Sequence, residues 1–203
     1  MIFDIGSNIG DWTSANINNS DKFITIEASP STYKKMYERH GNNSKVVCLN
    51  YAVCNNNCED VTFYDCSCHF LSTLNVDWLS SEKSRFYGEK YTEIKVPSIT
   101  IDKLIETYGN PELIKIDVEG GEDKCITSLT KKVPQLCFEW ASETNDVTIR
   151  CLNHLYSLGF TDFYLQNNDN YTFRPSTYTS FENVIEQLNK TTPKVDWGML
   201  WCR

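Results

Sequence analysis

Residues 2–10 read Ile-Phe-Asp-Ile-Gly-Ser-Asn-Ile-Gly, a short apolar strand that passes without a spacer into a turn with two glycines four positions apart. That junction constrains the fold more than any other part of the chain. In an open α/β sheet the ligand lies beyond the carboxyl ends of the strands, so the turn leaving the first strand becomes the floor of a site. Gly6 lets the backbone approach a ligand with no side chain between them. Gly10 permits close passage into the next helix, and Asn8 tolerates backbone angles that most residues avoid.

The rest of the chain keeps this rhythm, with short apolar strands each followed by a capped or punctuated helix, the pattern of a largely parallel sheet. Strands are expected at 2–5, 22–26, 45–50, 113–117, 136–140, 162–165 and 199–202. A short helix follows Gly10. The next begins at Ser29 as cap with Pro30 in the first helical position, and ends at Gly41 as a left-handed stop. Asp102 is expected to cap a helix that Gly109 ends, and further helices are expected at 122–129, at 147–158 with Gly159 as its stop, and around 181–188. Asn55 to Asn57 reads as a turn, with Val61–Tyr64 as a hairpin partner. The irregular stretch 66–95, rich in serine and aromatics, is the expected home of substrate loops. A chain of 203 residues fits one domain, 1–203.

The formal net charge of -8 argues against nucleic acid, whose partners display basic surfaces. No apolar run approaches the roughly 20 residues needed to span a bilayer, and no secretory signal is visible, so an intracellular, cytoplasmic protein is expected. Nine cysteines in that setting read as reduced thiols. Cys48, Cys54, Cys58, Cys66 and Cys68, followed by His69, are the one group that raises zinc, but they contain no CxxC pair and read as small buried thiols on strands.

The turn itself is not the dinucleotide fingerprint GxGxxG. With Gly6 and Gly10 four apart and Asn8 between them, it suits an amino acid moiety better than a pyrophosphate, which Asp4 would repel. Asp4 could instead organise a loop facing an ammonium or sulfonium. Glu27 ends the second strand about 20 residues on, where an acid accepts hydrogen bonds from ribose hydroxyls. Turn, acid and strand-helix frame together point to a nucleoside, and S-adenosylmethionine meets all three demands.

The blocks DIGSNIGDWT, TIEASPSTY, NYAV, SITIDKLI and LIKIDVEGGED occur in this order, and in them the chain resembles the FkbM-type S-adenosylmethionine-dependent methyltransferases. The resemblance is close over residues 2–123 and looser beyond, through LYSLGF and the closing strand. It implies the class I methyltransferase fold, a Rossmann-like α/β sheet of seven mostly parallel strands with the last antiparallel and helices on both faces. It also implies methyl transfer to a hydroxyl of a sugar or natural product. Carried onto this chain, it sets Gly6, Ser7, Asn8 and Gly10 around the methionine portion, Glu27 on the ribose, Ala28 with Asn50 to Ala52 near the adenine, and Asp117 beside the methionine amine and the transferred methyl. The chain departs from the family in lacking the helix that usually precedes the first strand, and in carrying Trp140 after Glu139 where members often have histidine. The missing helix and the asparagine-rich composition are compatible with a domain cut from a longer glycan-building polypeptide, fused to glycosyltransferase domains. One such source is a large DNA virus, acting in host cytoplasm.

Methyl transfer needs a hydroxyl aligned behind the methyl and a group to take its proton. Asp117 and Glu119, two apart at a strand end, are expected to face the cleft together, with His69 as an alternative base. Glu122 and Asp123 read as a solvated helix face, and His154 as a structural helix residue. Asp117 and Glu139 on neighbouring strands are the pair that could hold Mg2+, although no metal site is assigned. Trp78, Phe86 and Tyr87 are candidate platforms for the apolar face of a sugar. The reading is an O-methyltransferase acting on a sugar or glycan hydroxyl. Alternatives are another small-molecule hydroxyl, an NAD-dependent oxidoreductase that a nicotinamide titration would reveal, and a cofactor-binding domain without turnover.

Overall fold

β1 (Ile2–Ile5) has all four residues buried, as a strand covered on both faces requires. The structure is a computed structural model and describes residues 1–56 and 60–203. After β1 come α1 (Asp11–Asn16), β2 (Phe23–Ile26), α2 (Pro30–His40), β3 (Val46–Leu49) and β4 (Ala52–Val53). Next are β5 (Val61–Cys66), α3 (Asp77–Ser80), β6 (Tyr91–Val96), β7 (Ser98–Ile99) and α4 (Ile101–Tyr108). The chain finishes through β8 (Leu113–Ile116), α5 (Glu122–Ile126), β9 (Leu136–Ala141), α6 (Asn145–Ser157), β10 (Phe163–Asn167), α7 (Phe181–Leu188) and β11 (Trp197–Cys202).

The main sheet has seven strands in the order β3-β2-β1-β8-β9-β11-β10. Neighbours are parallel except that β11 runs antiparallel to both β9 and β10. The strand order reverses between β1 and β8, which opens a crevice at their carboxyl ends. Strand alternation divides the core. Phe3, Ile5, Ile114, Ile116 and Phe138 pack with Leu104 of α4, Ile126 of α5, Leu152 of α6 and Val184 of α7. Ile2, Phe23, Leu113, Cys137 and Trp201 pack on the other face with Trp12 of α1. Asp4, Lys115 and Glu139 fall on this second face, with Asp4 opposite Lys115 in the register.

The helix starts follow capping chemistry, with corrections. Ser29 caps α2 by accepting from the Thr32 N–H, with Pro30 leading the helix. Gly41, expected as a left-handed stop, has a right-handed φ of -61, because its N–H still reaches the Tyr37 carbonyl and the turn closes one residue later. Thr100 rather than Asp102 caps α4, its hydroxyl accepting from the Lys103 N–H at 3.0 Å. Asp102 is drawn away by Thr130, whose N–H and hydroxyl it accepts at 3.0 and 2.6 Å. Gly109 ends α4 with φ 99, as its missing Cβ allows.

Residues 52–56 and 60–99 build a separate layer. Val61–Tyr64 lies in β5, which pairs antiparallel with β6 and not with the third strand. That pairing sets Phe63 and Val96 in a small core with Ala52, while β4 pairs with β7. The turn expected over Asn55 to Asn57 falls in part on Asn57, which with Cys58 and Glu59 lies outside the described residues. Cys54 and Cys66 are buried thiols, and Cys48 on β3 is half-buried. Cys68, expected buried on a strand, is exposed in the turn before residues 69–71, and the described cysteines form no metal-binding group with His69. Among the described residues no helix is long and apolar enough to cross a membrane.

Candidate active site

Two chambers meet at the carboxyl ends of β1, β8 and β9. The first lies between the glycine turn, the end of β2 and residues 52–53 and 63–74. Its lining includes Gly6, Ser7, Asn8, Glu27, Ala28, Ala52 and His69. The second, more open, is walled by Trp78, Phe86, Trp197, Arg85 and Glu139. Phe70, Asp117, Glu119 and Tyr171 belong to both.

The glycine turn is shaped by contacts on its far side. Gly6 has φ 70, and a Cβ there would stand 1.8 Å from the Asp117 carbonyl oxygen, so this glycine is needed for contact with β8 as much as for any ligand. Gly10, with φ 83, packs against the His40 ring, where a Cβ would meet ring atoms at 2.5 Å, and it does not line either chamber. Ser7 contributes backbone only. Its hydroxyl turns inward to the Ile26 carbonyl at 3.2 Å and the Met36 sulfur at 2.8 Å.

Asp4 also stands behind the floor rather than at it. It is fully buried, accepting from the Thr13 hydroxyl at 2.7 Å and facing the Lys115 ammonium at 3.4 Å. Asn50 is another supporting residue, since its amide donates to the Glu27 and Ala28 carbonyls at 2.8 and 3.0 Å and fixes the turn after β2. Asn8 does reach the first chamber. Its φ of 51 leaves its N–H donating to Glu27 Oε2 at 2.9 Å. The other Glu27 oxygen accepts from the Ser29 N–H at 2.8 Å. Burial pushes the Glu27 carboxyl up to about 7 against those two bonds.

Asn8 and His69 clasp each other. The Asn8 amide donates to the His69 carbonyl at 3.0 Å while its Oδ1 accepts from the Ile9 N–H, which fixes the orientation of the amide. His69 Nδ1, 2.8 Å from that oxygen, therefore carries the hydrogen and leaves Nε2 as the basic nitrogen. Burial, with Lys35 nearby, holds the imidazole below its usual range, so the neutral ring prevails at neutral pH.

At the junction of the chambers Asp117 follows β8, and its carboxylate lies 3.2 Å from Lys115 Nζ. Glu119 accepts from the Trp78 indole N–H at 3.0 Å. It sits at φ 59, a left-handed conformation, so its approach to Asp117 comes from the turn and not from strand alternation. Carboxylate oxygens of Asp117, Glu119 and Glu139 gather within 4.8 Å of one another. Burial, then the neighbouring acids, raises both Glu119 and Glu139 well above their ordinary value. Asp169, after β10, is raised by burial to about 6.

Several expectations are corrected here. Glu122 is buried, accepts from the Val118 and Gly120 N–H groups, and is raised by burial to about 8, because α5 starts inside the fold. Asp123 pairs with Arg150. Trp78 is buried against Phe86 at 5.1 Å, both on the second chamber, whereas Tyr87 is exposed and lines neither. His154 keeps the structural role expected of it, its Nε2 donating from α6 to the Leu129 carbonyl at 2.8 Å, and the Trp140 indole N–H donates to the Gln166 carbonyl at 3.0 Å. Phe63, Phe70, Lys115 and Tyr171 were not singled out from sequence. The lysine within Leu-Ile-Lys-Ile was a usable signal, since a charge inside a buried strand demands partners.

Residues 4–182 match the profile described as the methyltransferase FkbM domain. Among solved structures, the methyltransferase FkbM of Methylobacillus flagellatus KT superposes with a TM-score of 0.56 at 14% identity, covering all of this chain and 43% of that one. The chain thus spans less than half the length of that protein. The precorrin-6y C5,15-methyltransferase of Geobacter metallireducens GS-15 has a TM-score of 0.49 at 9% identity, covering all of this chain and 78% of that one. None of the curated proteins compared with the chain matches it.

Proposed function

The chain belongs to the FkbM methyltransferase family, and on that premise we propose that it is an S-adenosylmethionine-dependent O-methyltransferase whose acceptor is a sugar or glycan hydroxyl. The observation that carries this reading is the sharing of Asp117 and Glu119 between two chambers, one suited to the cofactor and one to an acceptor. The first chamber fits the cofactor chemically. Glu27 is held by two backbone N–H groups with its carboxylate in the cleft, Ala28 and Ala52 leave room for a flat base, and Gly6 to Asn8 offer backbone to an amino acid tail.

When bound, S-adenosylmethionine supplies an electrophilic methyl group. The chain's residues have three tasks around it. Glu27 binds the ribose hydroxyls through its carboxylate. Phe86 and Trp197, partly exposed on the second chamber, offer ring surface to the C–H face of a pyranose, with Trp78 packed behind Phe86. Asp117, beside the Lys115 ammonium, takes the acceptor's proton at its carboxylate. Glu119, held by the Trp78 indole N–H, is the second acid at the acceptor hydroxyl and hydrogen-bonds it. His69 lines the first chamber and not the second, which suits it to holding Asn8 rather than to abstracting a proton.

Incubation with S-adenosylmethionine and a panel of deoxysugar glycosides, read by mass spectrometry, tests the proposal. A methyl gain on one glycoside supports it. Tight cofactor binding in calorimetry with no methyl gain in any acceptor pool would favour a binding domain without turnover.

A further inference from the structure

Lys115 sits in the middle of β8 with only 3% of its surface exposed. Alternation turns it away from Ile114 and Ile116 toward the α1 face, and register sets it opposite Asp4 on one side and Cys137 on the other. Its Nζ lies 3.2 Å from the Gly6 carbonyl, 3.4 Å from Asp4 Oδ1 and 3.2 Å from Asp117 Oδ2. Asp4 Oδ1 is buried with no hydrogen bond, so the ammonium is what compensates it. Buried ion groups of this kind are often replaceable by apolar side chains with no loss of stability. A role beyond holding the sheet together accounts better for a lysine at this position.

We propose that Lys115 is a positioning residue for methyl transfer: its ammonium ties the Gly6 carbonyl of the glycine turn to the Asp117 carboxylate between the chambers. The turn and the carboxylate then behave as one rigid piece. Backbone contact already brings the two together, since Gly6 leaves no room for a Cβ against the Asp117 carbonyl. The lysine adds a side-chain tether to that contact and sets the direction of the carboxylate. Asp4, anchored by Thr13 of α1, holds the ammonium from behind. This inference rests on the methyltransferase reading above.

The test measures S-adenosylhomocysteine binding by calorimetry for the wild type, Lys115→Met and Lys115→Arg, each checked for folding by circular dichroism and melting. Lys115→Met leaves the buried Asp4 carboxylate without its cation and is expected to melt earlier yet remain folded at 25 °C, binding at least about tenfold more weakly, while Lys115→Arg, which keeps a charged donor, recovers affinity to within about threefold. A merely structural lysine would lower the melting temperature without that recovery of affinity by the conservative variant. Should Lys115→Met fail to fold, Lys115→Gln is read against the same threshold, since it keeps an N–H donor without the charge. Affinity within about twofold of wild type in the folded uncharged variant overturns the positioning role alone. A wild type that does not bind S-adenosylhomocysteine brings down the methyltransferase reading, and the positioning role with it.

Discussion

Lowering the pH from about 8 to about 5.5 is expected to stabilise the ligand-free protein, and Glu27 supplies a calculable part of that gain. Burial lifts its carboxyl from an ordinary 4.5 to about 7, against hydrogen bonds from Ser29 and Asn8. Between those two values the folded protein holds a proton that the unfolded chain has released. The contribution is therefore fully present below 4.5 and is lost as pH rises through about 7. At about 1.4 kcal/mol for each pH unit of full difference in proton binding, the loss between pH 5.5 and 8 is about 2 kcal/mol. For a domain of this size that is about 4–8 °C in melting temperature. Glu122, raised to about 8, acts in the same direction, so a variant is needed to isolate Glu27. Glu27→Gln is uncharged at both pH values and should lose this share of the slope. Its amide turns a donor toward one of two backbone N–H groups, which lowers the stability at both pH values by about 1–3 kcal/mol without restoring the slope. Scanning calorimetry of both proteins at the two pH values decides the matter, and identical slopes in wild type and variant would refute the reasoning. Binding should run the other way, with S-adenosylhomocysteine affinity rising with pH through about 7, because the ionised carboxylate is the better acceptor of ribose hydroxyls.

Asp117→Asn is expected to lower methyl transfer by about 100- to 10,000-fold, the usual worth of a positioned base, with S-adenosylhomocysteine affinity changed far less; single-turnover kinetics and calorimetry separate the two. Gly6→Ala forces a methyl group into the Asp117 carbonyl at a positive φ and should abolish cofactor binding, melting several degrees early or failing to fold, as circular dichroism will show. Arg85→Met strands the Glu143 carboxylate, which is only 3% exposed, and should cost about 3–5 kcal/mol in denaturant unfolding.

The sheet was legible because its information is local. Buried four-residue strands, the Ser29-Pro30 helix start and the glycine turn each carry their meaning within a few residues, and the structure has them close to where they were expected. What sequence could not disclose was decided across the chain. Val61–Tyr64 found its partner in β6 and not in the strand before it, and Asp102 gave up its capping role to bond Thr130. The site followed the same division. The residues quoted from the turn do gather at one crevice, but which atom faces it depends on neighbours far away in sequence. Met36 takes the Ser7 hydroxyl, His40 occupies the space beside Gly10, and Lys115 claims Asp4. Tyr171 gives no local signal, since its loop is an ordinary polar stretch until the fold brings it to the cleft.

The layer formed by residues 52–56 and 60–99 touches the floor of the crevice through side chains that reach loop backbone. Asn8 meets the His69 carbonyl, Thr73 and Asn75 donate to the Glu119 and Gly120 carbonyls, and Lys124 donates to the Leu74 carbonyl. A backbone carbonyl is present whatever side chain sits beside it. The Leu74 joint therefore survives a change of side chain at that position, whereas Thr73, Asn75 and Trp78 are fixed by the bonds that their own side chains make. A segment grafted there from a relative would keep its seat where it carries hydrogen-bond donors at positions 73, 75 and 78.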